Sequence, residues 1–324
     1  MGWRQANPLI PLNLISDQAL SGFVIAASSI GRAPRDFLIG RALRLLPMLW
    51  LSVLIGFTIL ALLGVPASTL FARGARSATL WPFGNPLDPV VWTLQVEAIF
   101  YLMVWCLLIF AEKWIETALI ALAVVLATAS LVNLSIELAG HNLGNLIPML
   151  LLLRHGGFFA LGILIRASTA GRKRLSLWIA LATLSCGLEI LSIMAARNLE
   201  AGTHYTPLVA LTVFAFATAV VWYGAAHLKT SVSKAVRTAG LMTYPIYLLH
   251  QTVGGATIAL ALTRLHLPFP AAILLGYLTV LGTSWAMVVF VEPKLRPHFS
   301  WLLKTCVPRR PQGLFAKTAP VPPQ

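Results

Sequence analysis

The stretch VVWTLQVEAIFYLMVWCLLIFA (90–111) decides the fold of this chain. Its 22 residues carry a single charged side chain, that of Glu97. About 20 mostly apolar residues are enough for an α-helix to cross the hydrocarbon core of a bilayer. The stretch therefore predicts a transmembrane helix with one carboxylate inside it.

Eight further stretches have the same character, and together they predict an all-α, polytopic bundle of about nine spans. Hydrophobic residues make up 58% of the chain, charged residues only 10%, and the mean hydropathy is +0.82, which excludes an ordinary soluble domain. The stretch 8–31 is the weakest of them, because Ser16, Asp17 and Gln18 interrupt it. The other stretches cover 8–31, 41–64, 116–139, 145–166, 175–196, 206–226, 239–262 and 268–291.

The basic residues follow the predicted topology. The net charge is +14, but a chain that reads nucleic acid should gather its basic residues on one surface. Here 18 Lys and Arg lie in alternate connections and the tail, against 4 in the connections between them. The positive-inside rule places the rich set, and the C-terminus, in the cytosol. Nine spans then predict an extracytoplasmic N-terminus, unless a tenth helix precedes residue 8.

The chain divides into a transmembrane domain, 1–293, and a basic cytosolic tail, 294–324, with a proline-rich end. The longest connection, 65–89, holds four prolines and is predicted to be a turn-rich surface segment. The three cysteines show no metal-ligand or disulfide spacing, so we expect no metal site and no bound cofactor.

Ionisable residues deep in a bilayer are costly, which makes each one a candidate for function. Glu97 shares a helix face with Thr93 and Tyr101, because the three recur at intervals of four. This polar stripe favours a catalytic or charge-orienting carboxylate. The alternative is a structural bond between helices, with Arg154 as a possible partner.

Arg154 lies near the middle of the predicted span 145–166. A guanidinium keeps its proton, so it must face an anion, carbonyl groups or water. An ion pair with Glu97 or Glu189 and a charge-stabilising contact with substrate are both open. The neighbouring His155 is predicted to be a packed core histidine.

His250 shares a face with Tyr247 and Gly254, and Pro245 predicts a kink before it. It is the candidate for proton handling. A hydrogen-bonded core histidine is the equal alternative, since no carboxylate lies near it in the sequence.

Arg41 and Arg44 are three residues apart at the predicted cytosolic end of the second span. A pair of guanidinium groups on one face suits a phosphorylated ligand. Spacing alone also fits charges that only set topology and reach to lipid headgroups.

Six short motifs follow one another over residues 21–296. They are SGFVI (21–25), FLIGRALRLLP (37–47), VWTLQVEAIFYL (91–102), RHGGFFALG (154–162), MTYPIYLLH (242–250) and VEPKLR (291–296). In this order they resemble the motifs of the acyltransferase 3 family of membrane proteins. The resemblance covers most of the chain.

The resemblance implies a bacterial inner-membrane enzyme that moves an acyl group, typically acetyl, from acyl-CoA to a carbohydrate or glycolipid hydroxyl. Arg41 and Arg44 would then hold the CoA phosphates, Arg154 would stabilise charge, and Glu97 and His250 would act in catalysis. Family members usually have ten helices, and the first carries a catalytic histidine. On this resemblance the chain begins after that helix. A truncated product, a mis-assigned start and a divergent member are all open explanations. We expect a form without the histidine to be very slow or inactive.

Two rivals remain. A transporter would use Glu97, Arg154, Glu189 and His250 as an ion or substrate path, but the sequence shows no inverted repeat. A non-catalytic relic would still bind acyl-CoA without transferring its acyl group.

Overall fold

The computed structural model describes residues 10–141, 143–144, 146–202, 206–227 and 233–306, and the regular structure in these ranges is helical. The predicted all-α class is therefore confirmed. The helices are α1 (Ile10–Ser29), α2 (Pro34–Leu62), α3 (Ala67–Ala78), α4 (Val91–Phe110), α5 (Ile115–Leu138), α6 (Leu146–Leu150), α7 (Gly156–Thr169), α8 (Ser176–Ala201), α9 (Leu208–His227), α10 (Lys234–Leu249), α11 (Gly255–Thr263), α12 (Phe269–Ala286) and α13 (Glu292–Cys306).

In the described ranges, seven helical segments are long and apolar enough to cross a membrane, which confirms a polytopic bundle. Two predicted spans fall outside this set: 8–31, which contains the 20-residue α1, and 145–166. The seven segments are Pro34–Leu62, Val91–Phe110, Glu112–Leu138, Ser176–Ala196, Leu208–His227, Lys234–Thr263 and Phe269–Cys306.

The prediction of one continuous span over 145–166 is wrong. The short α6 ends at Leu150, a turn follows, and α7 begins at Gly156 and runs for only 14 residues. Leu152 and His155 both have positive φ, and left-handed residues interrupt a right-handed helix. Hydropathy cannot detect this break because the residues on either side of it are apolar.

The segment 65–89 is more ordered than its prolines predicted. It contains α3, which packs back along α2 with the rings of Phe57 and Phe71 5.1 Å apart. At the other end of the chain, a π-helical turn at Met287–Val291 joins α12 directly to α13. The predicted domain boundary at 293 therefore falls within a helical segment, and residues 307–324 lie outside the described part of the chain.

Helix α7 forms the centre of the larger half of the bundle. Its residues 156–165 are all buried, as expected of a helix that is apolar on every side. It contacts α1 at two glycines: a Cβ at Gly162 would lie 2.0 Å from the Ala19 carbonyl oxygen, and one at Gly22 would lie 2.3 Å from that of Phe159. Small residues of this kind let transmembrane helices approach closely.

Two apolar clusters meet along α4. Phe100 and Tyr101 belong to the cluster around α7, whereas Val91 and Leu94 belong to a second cluster with α2, α10 and α12. Glu97 lies between these two sets along the helix. Binding and catalytic sites in bundles commonly form between packed groups of helices.

The basic connections meet at one end of the bundle, which we call the basic end. Arg172 forms an ion pair with Glu116 at 2.8 Å, which joins the segment after α7 to the start of α5. Arg35, near the start of α2, donates to the backbone oxygen of Lys304 on α13. The opposite end, where α4 and α7 begin, is the far end.

Candidate active site

A carboxylate, three hydroxyls and a guanidinium form a chain of contacts between α1, α2 and α4. Glu97 Oε1 accepts a hydrogen bond from Ser21 Oγ at 2.8 Å and another from the Tyr101 hydroxyl. The bond to Tyr101 runs along the helix face that the four-residue spacing predicted. The Asp17 carboxylate, on α1, lies within electrostatic range of Glu97.

Arg41 extends this group toward the basic end. Its guanidinium donates to Ser28 Oγ, and its Cζ lies 5.4 Å from the Phe37 ring centroid and 5.7 Å from that of Tyr101. A guanidinium over an aromatic face is attracted by the ring quadrupole. Arg41 therefore turns inward to the α4 stripe. We call Ser21, Ser28, Arg41, Glu97 and Tyr101 the inner polar group.

Two tyrosines of α10 close the other side of α4. The Tyr244 hydroxyl donates to the Leu45 carbonyl oxygen at 3.1 Å, and the Tyr247 hydroxyl lies 2.6 Å from Thr93 Oγ1. Thr93 completes the predicted stripe. The polar face of α4 thus contacts α1, α2 and α10 together.

His250 directly follows α10, in a π-helical turn that runs from His250 to Gly254. Its side chain is exposed, and its Nδ1 lies 2.7 Å from the Tyr247 carbonyl oxygen. A carboxylate that was not predicted as a site residue contacts the same turn: buried Asp88 accepts a hydrogen bond from Thr252 Oγ1.

Arg154 belongs to a separate group at the far end. Its Nη2 lies 2.7 Å from Glu137 Oε1, so this ion pair is with a carboxylate other than the two suggested by the sequence. Glu189 instead accepts the backbone N–H of His155 at 2.9 Å. His155 Nδ1 is equally close to that oxygen but lacks hydrogen-bond geometry.

His155 connects the Arg154 group to α4. Its side chain is largely buried, and its ring centroid lies 5.3 Å from that of Trp92, the residue before Thr93. This agrees with the predicted packed core histidine. The charge-stabilising role of Arg154 stays a prediction.

Four members of these groups were not predicted from the sequence: Ser21, Ser28, Asp88 and Glu137. Only the two carboxylates could have been suspected, because the largely apolar chain has just ten acidic residues. In the described ranges, no cluster of three or more His, Cys, Asp or Glu side chains has the arrangement of a metal site.

Comparison with known families gives this geometry a chemical context. The family model described as an acyltransferase domain, of the acyltransferase 3 group, matches residues 19–289. The chain belongs to the acyltransferase 3 family. Comparisons with curated proteins and with solved structures found no match to this chain.

The match to the acyltransferase 3 family spans α1 through α12 and includes every residue of the inner polar group. It also includes His250, Asp88 and Arg154. The protein is therefore a membrane acyltransferase by family, and its polar groups lie between the helices that the family shares.

Proposed function

We propose that this acyltransferase moves an acyl group, acetyl in the simplest case, from acyl-CoA to a carbohydrate hydroxyl. The observation that carries the proposal is Arg41, which reaches from α2 to the Tyr101 ring, while Tyr101 donates to Glu97. The guanidinium of Arg41 is thus connected by direct contacts to a carboxylate inside the bundle.

The donor would enter from the basic end, with Arg41 and Arg44 at its phosphates. Guanidinium groups form strong, charge-assisted bonds to phosphate oxygens. On this proposal the basic end faces the cytosol, where acyl-CoA is made, and the acceptor approaches from the far end. The basic connections at one end of the bundle support this orientation through the positive-inside rule.

The transfer needs a base for the acceptor hydroxyl. A carbonyl oxygen only accepts hydrogen bonds, so the contact of His250 Nδ1 with the Tyr247 carbonyl supports a tautomer in which Nδ1 donates and Nε2 would serve as the basic nitrogen. His250 Nε2 would take the hydroxyl proton as the oxygen attacks the thioester carbon. The C–S bond then breaks, and the CoA thiolate takes a proton back from the imidazolium.

Glu97 would orient the inner polar group and balance the charge of Arg41. Arg154 is the candidate to stabilise negative charge from the far end, through its group beside Trp92. General acid–base catalysis contributes roughly 10²- to 10⁴-fold to a rate, so loss of His250 should slow transfer on that scale.

Binding of the donor tests the proposal. The double variant Arg41→Ala, Arg44→Ala should bind acyl-CoA more weakly by about a hundredfold or more, because it loses at least two charged hydrogen bonds worth about 1.5–3 kcal/mol each. The measurement is calorimetric titration of acetyl-CoA into protein in nanodiscs. Arg73→Ala with Arg76→Ala is the matched control, since this pair has the same spacing at the other end of the bundle.

Unchanged acetyl-CoA binding in the Arg41, Arg44 variant would contradict the donor site. Transfer of radiolabelled acetyl from acetyl-CoA to a glycan acceptor separates the remaining readings. Binding without transfer would identify a non-catalytic relic. A transporter would instead move a solute across the membrane of reconstituted vesicles without binding acetyl-CoA and without transferring its acetyl group.

A further inference from the structure

The helical segment that carries His250 is interrupted at the histidine itself. Helix α10 ends at Leu249, a single π-helical turn covers His250–Gly254, and α11 continues from Gly255. Such turns are rare in proteins, and those that occur often lie at functional sites. They widen the helix and reorient its side chains. Something must hold this turn in place.

Asp88 holds it. The Thr252 hydroxyl donates to Asp88 Oδ2, and Oδ1 of the same carboxylate accepts the backbone N–H of Val90 at 3.0 Å. Only 8% of Asp88 is exposed, so both bonds are shielded from water. The carboxylate therefore ties the π-helical turn to the start of α4.

Neighbouring contacts fix Asp88 in turn. The backbone N–H of Leu87 donates to buried Ser77 Oγ at 2.7 Å, which anchors the segment to α3. A Cβ placed on Gly56 of α2 would lie 3.5 Å from both the Leu87 and the Thr252 side chains. The turn, the Asp88 segment and α2 thus meet at one point.

The same bonds act on the ionisation of Asp88. Burial raises the pKa of the Asp88 carboxyl, while the hydrogen bonds from Thr252 and Val90 act in the opposite direction. The two bonds therefore offset part of the cost of burying the carboxylate.

We propose that Asp88 is the positioning residue of His250: through Thr252 it fixes the π-helical turn that presents the histidine. The inference rests on the proposed function. It links a carboxylate and a histidine that lie 162 residues apart in sequence, at positions 88 and 250. Asp88 acts on the backbone of the turn, and the turn sets the position of the ring.

Isosteric variants test the proposal in the acetyl-transfer assay. Asp88→Asn should lower kcat roughly tenfold to a hundredfold, by analogy with the loss found when the partners that orient metal-binding histidines are removed. The KM for acetyl-CoA should stay within about twofold, because the donor site lies elsewhere. Thr252→Val should lower kcat in the same direction, while Thr252→Ser, which keeps the hydroxyl, should restore it. Glu112→Gln, at an exposed carboxylate, is the control.

A double-mutant cycle tests whether Asp88 acts through His250. In a His250→Gln background, Asp88→Asn should cause no further loss, because the group it positions is gone. A full additional loss in that background would overturn the proposal, and so would a Thr252→Ser variant as slow as Thr252→Val.

Hydrogen exchange provides a readout that does not need activity. Backbone amides of residues 250–257 should exchange several-fold faster in Asp88→Asn and Thr252→Val than in the wild type or Glu112→Gln. Unchanged exchange in both variants would overturn the proposed link to the turn. If the wild type transfers no acetyl group, the proposed function fails, while the exchange data still decide whether Asp88 holds the turn.

Discussion

Among the single residues, a few polar side chains inside the apolar bundle form the candidate active site. Glu97 accepts two hydrogen bonds, one from α1 and one from its own helix. Each such bond to a charged group contributes about 1.5–3 kcal/mol, which offsets part of the cost of keeping a carboxylate away from water. The satisfied carboxylate can therefore persist between packed helices.

The pKa of Asp88 gives a test at this scale. Burial raises it above the unfolded value of about 3.9, so the fold favours the protonated acid. That contribution to stability is fully present below the unfolded pKa and is lost as pH rises through the folded pKa. Asp88→Asn should therefore leave the Tm unchanged or raise it at pH 7.5, with a smaller difference at pH 4.

Thermal unfolding followed by tryptophan fluorescence from pH 4 to pH 8 measures this effect. The same variant should lose activity, so stability and function would move in opposite directions. A Tm that falls by several degrees at pH 7.5 would show that the ionised carboxylate supports the fold.

The sequence could predict the residues of the site only where they share one element. The α4 stripe was predictable because Thr93, Glu97 and Tyr101 repeat at the helical period. Asp88 and Thr252 meet across 164 positions, and no local pattern reports such a contact. The bond of Arg154 to Glu137 was not predictable for the same reason, since Arg154 lies in the turn before α7 and Glu137 lies near the end of α5.

At the scale of elements, the contact between α1 and α7 positions the inner polar group. Ser21, which bonds Glu97, is adjacent to Gly22, which touches the α7 backbone. A close crossing at Gly22 and Gly162 therefore sets the distance from α1 to α4. The hydropathy pattern predicted both helices but could not predict that their backbones touch.

Gly162→Ala tests this crossing. The added Cβ would lie 2.0 Å from the Ala19 carbonyl oxygen, so α1 must shift, and overpacking of this kind costs about 1–3 kcal/mol. The Tm in detergent should fall by several degrees, and transfer activity should fall with it. Gly187→Ala is the matched control: its Cβ meets nothing within 4 Å, and a helical alanine gains up to about 1 kcal/mol over glycine. Equal Tm changes in the two variants would contradict the crossing.

The elements that sequence analysis described incorrectly are those shaped by contacts rather than by composition. Helix α3 forms within a proline-rich connection because it packs on α2, where Gly74 lies against Val53 and Phe57. The span 145–166 breaks because Leu152 and His155 adopt left-handed conformations. In both cases packing between elements outweighs local signals.

At the scale of the whole molecule, the basic connections define one face of the membrane protein. Single cysteines at Lys113 and Lys173, in a background without Cys106, Cys186 and Cys306, test this arrangement. Both should react with an impermeant maleimide from the same side as Cys306 does in a protein that keeps only that cysteine. A single cysteine in place of Arg264 should react from the other side. Labelling of Lys113→Cys and Lys173→Cys from opposite sides would contradict the helix order.

Glu97→Gln is the sharpest test of whether the inner polar group takes part in acyl transfer. We measure radiolabelled acetyl transfer from acetyl-CoA to a glycan acceptor in membranes that contain equal amounts of inserted protein, with Glu112→Gln as the control. We expect transfer by the wild type and the control, and a loss of roughly 100-fold in Glu97→Gln with acetyl-CoA binding retained, because the preorganised charge of the group is lost. Transfer by Glu97→Gln at the wild-type rate would contradict this role.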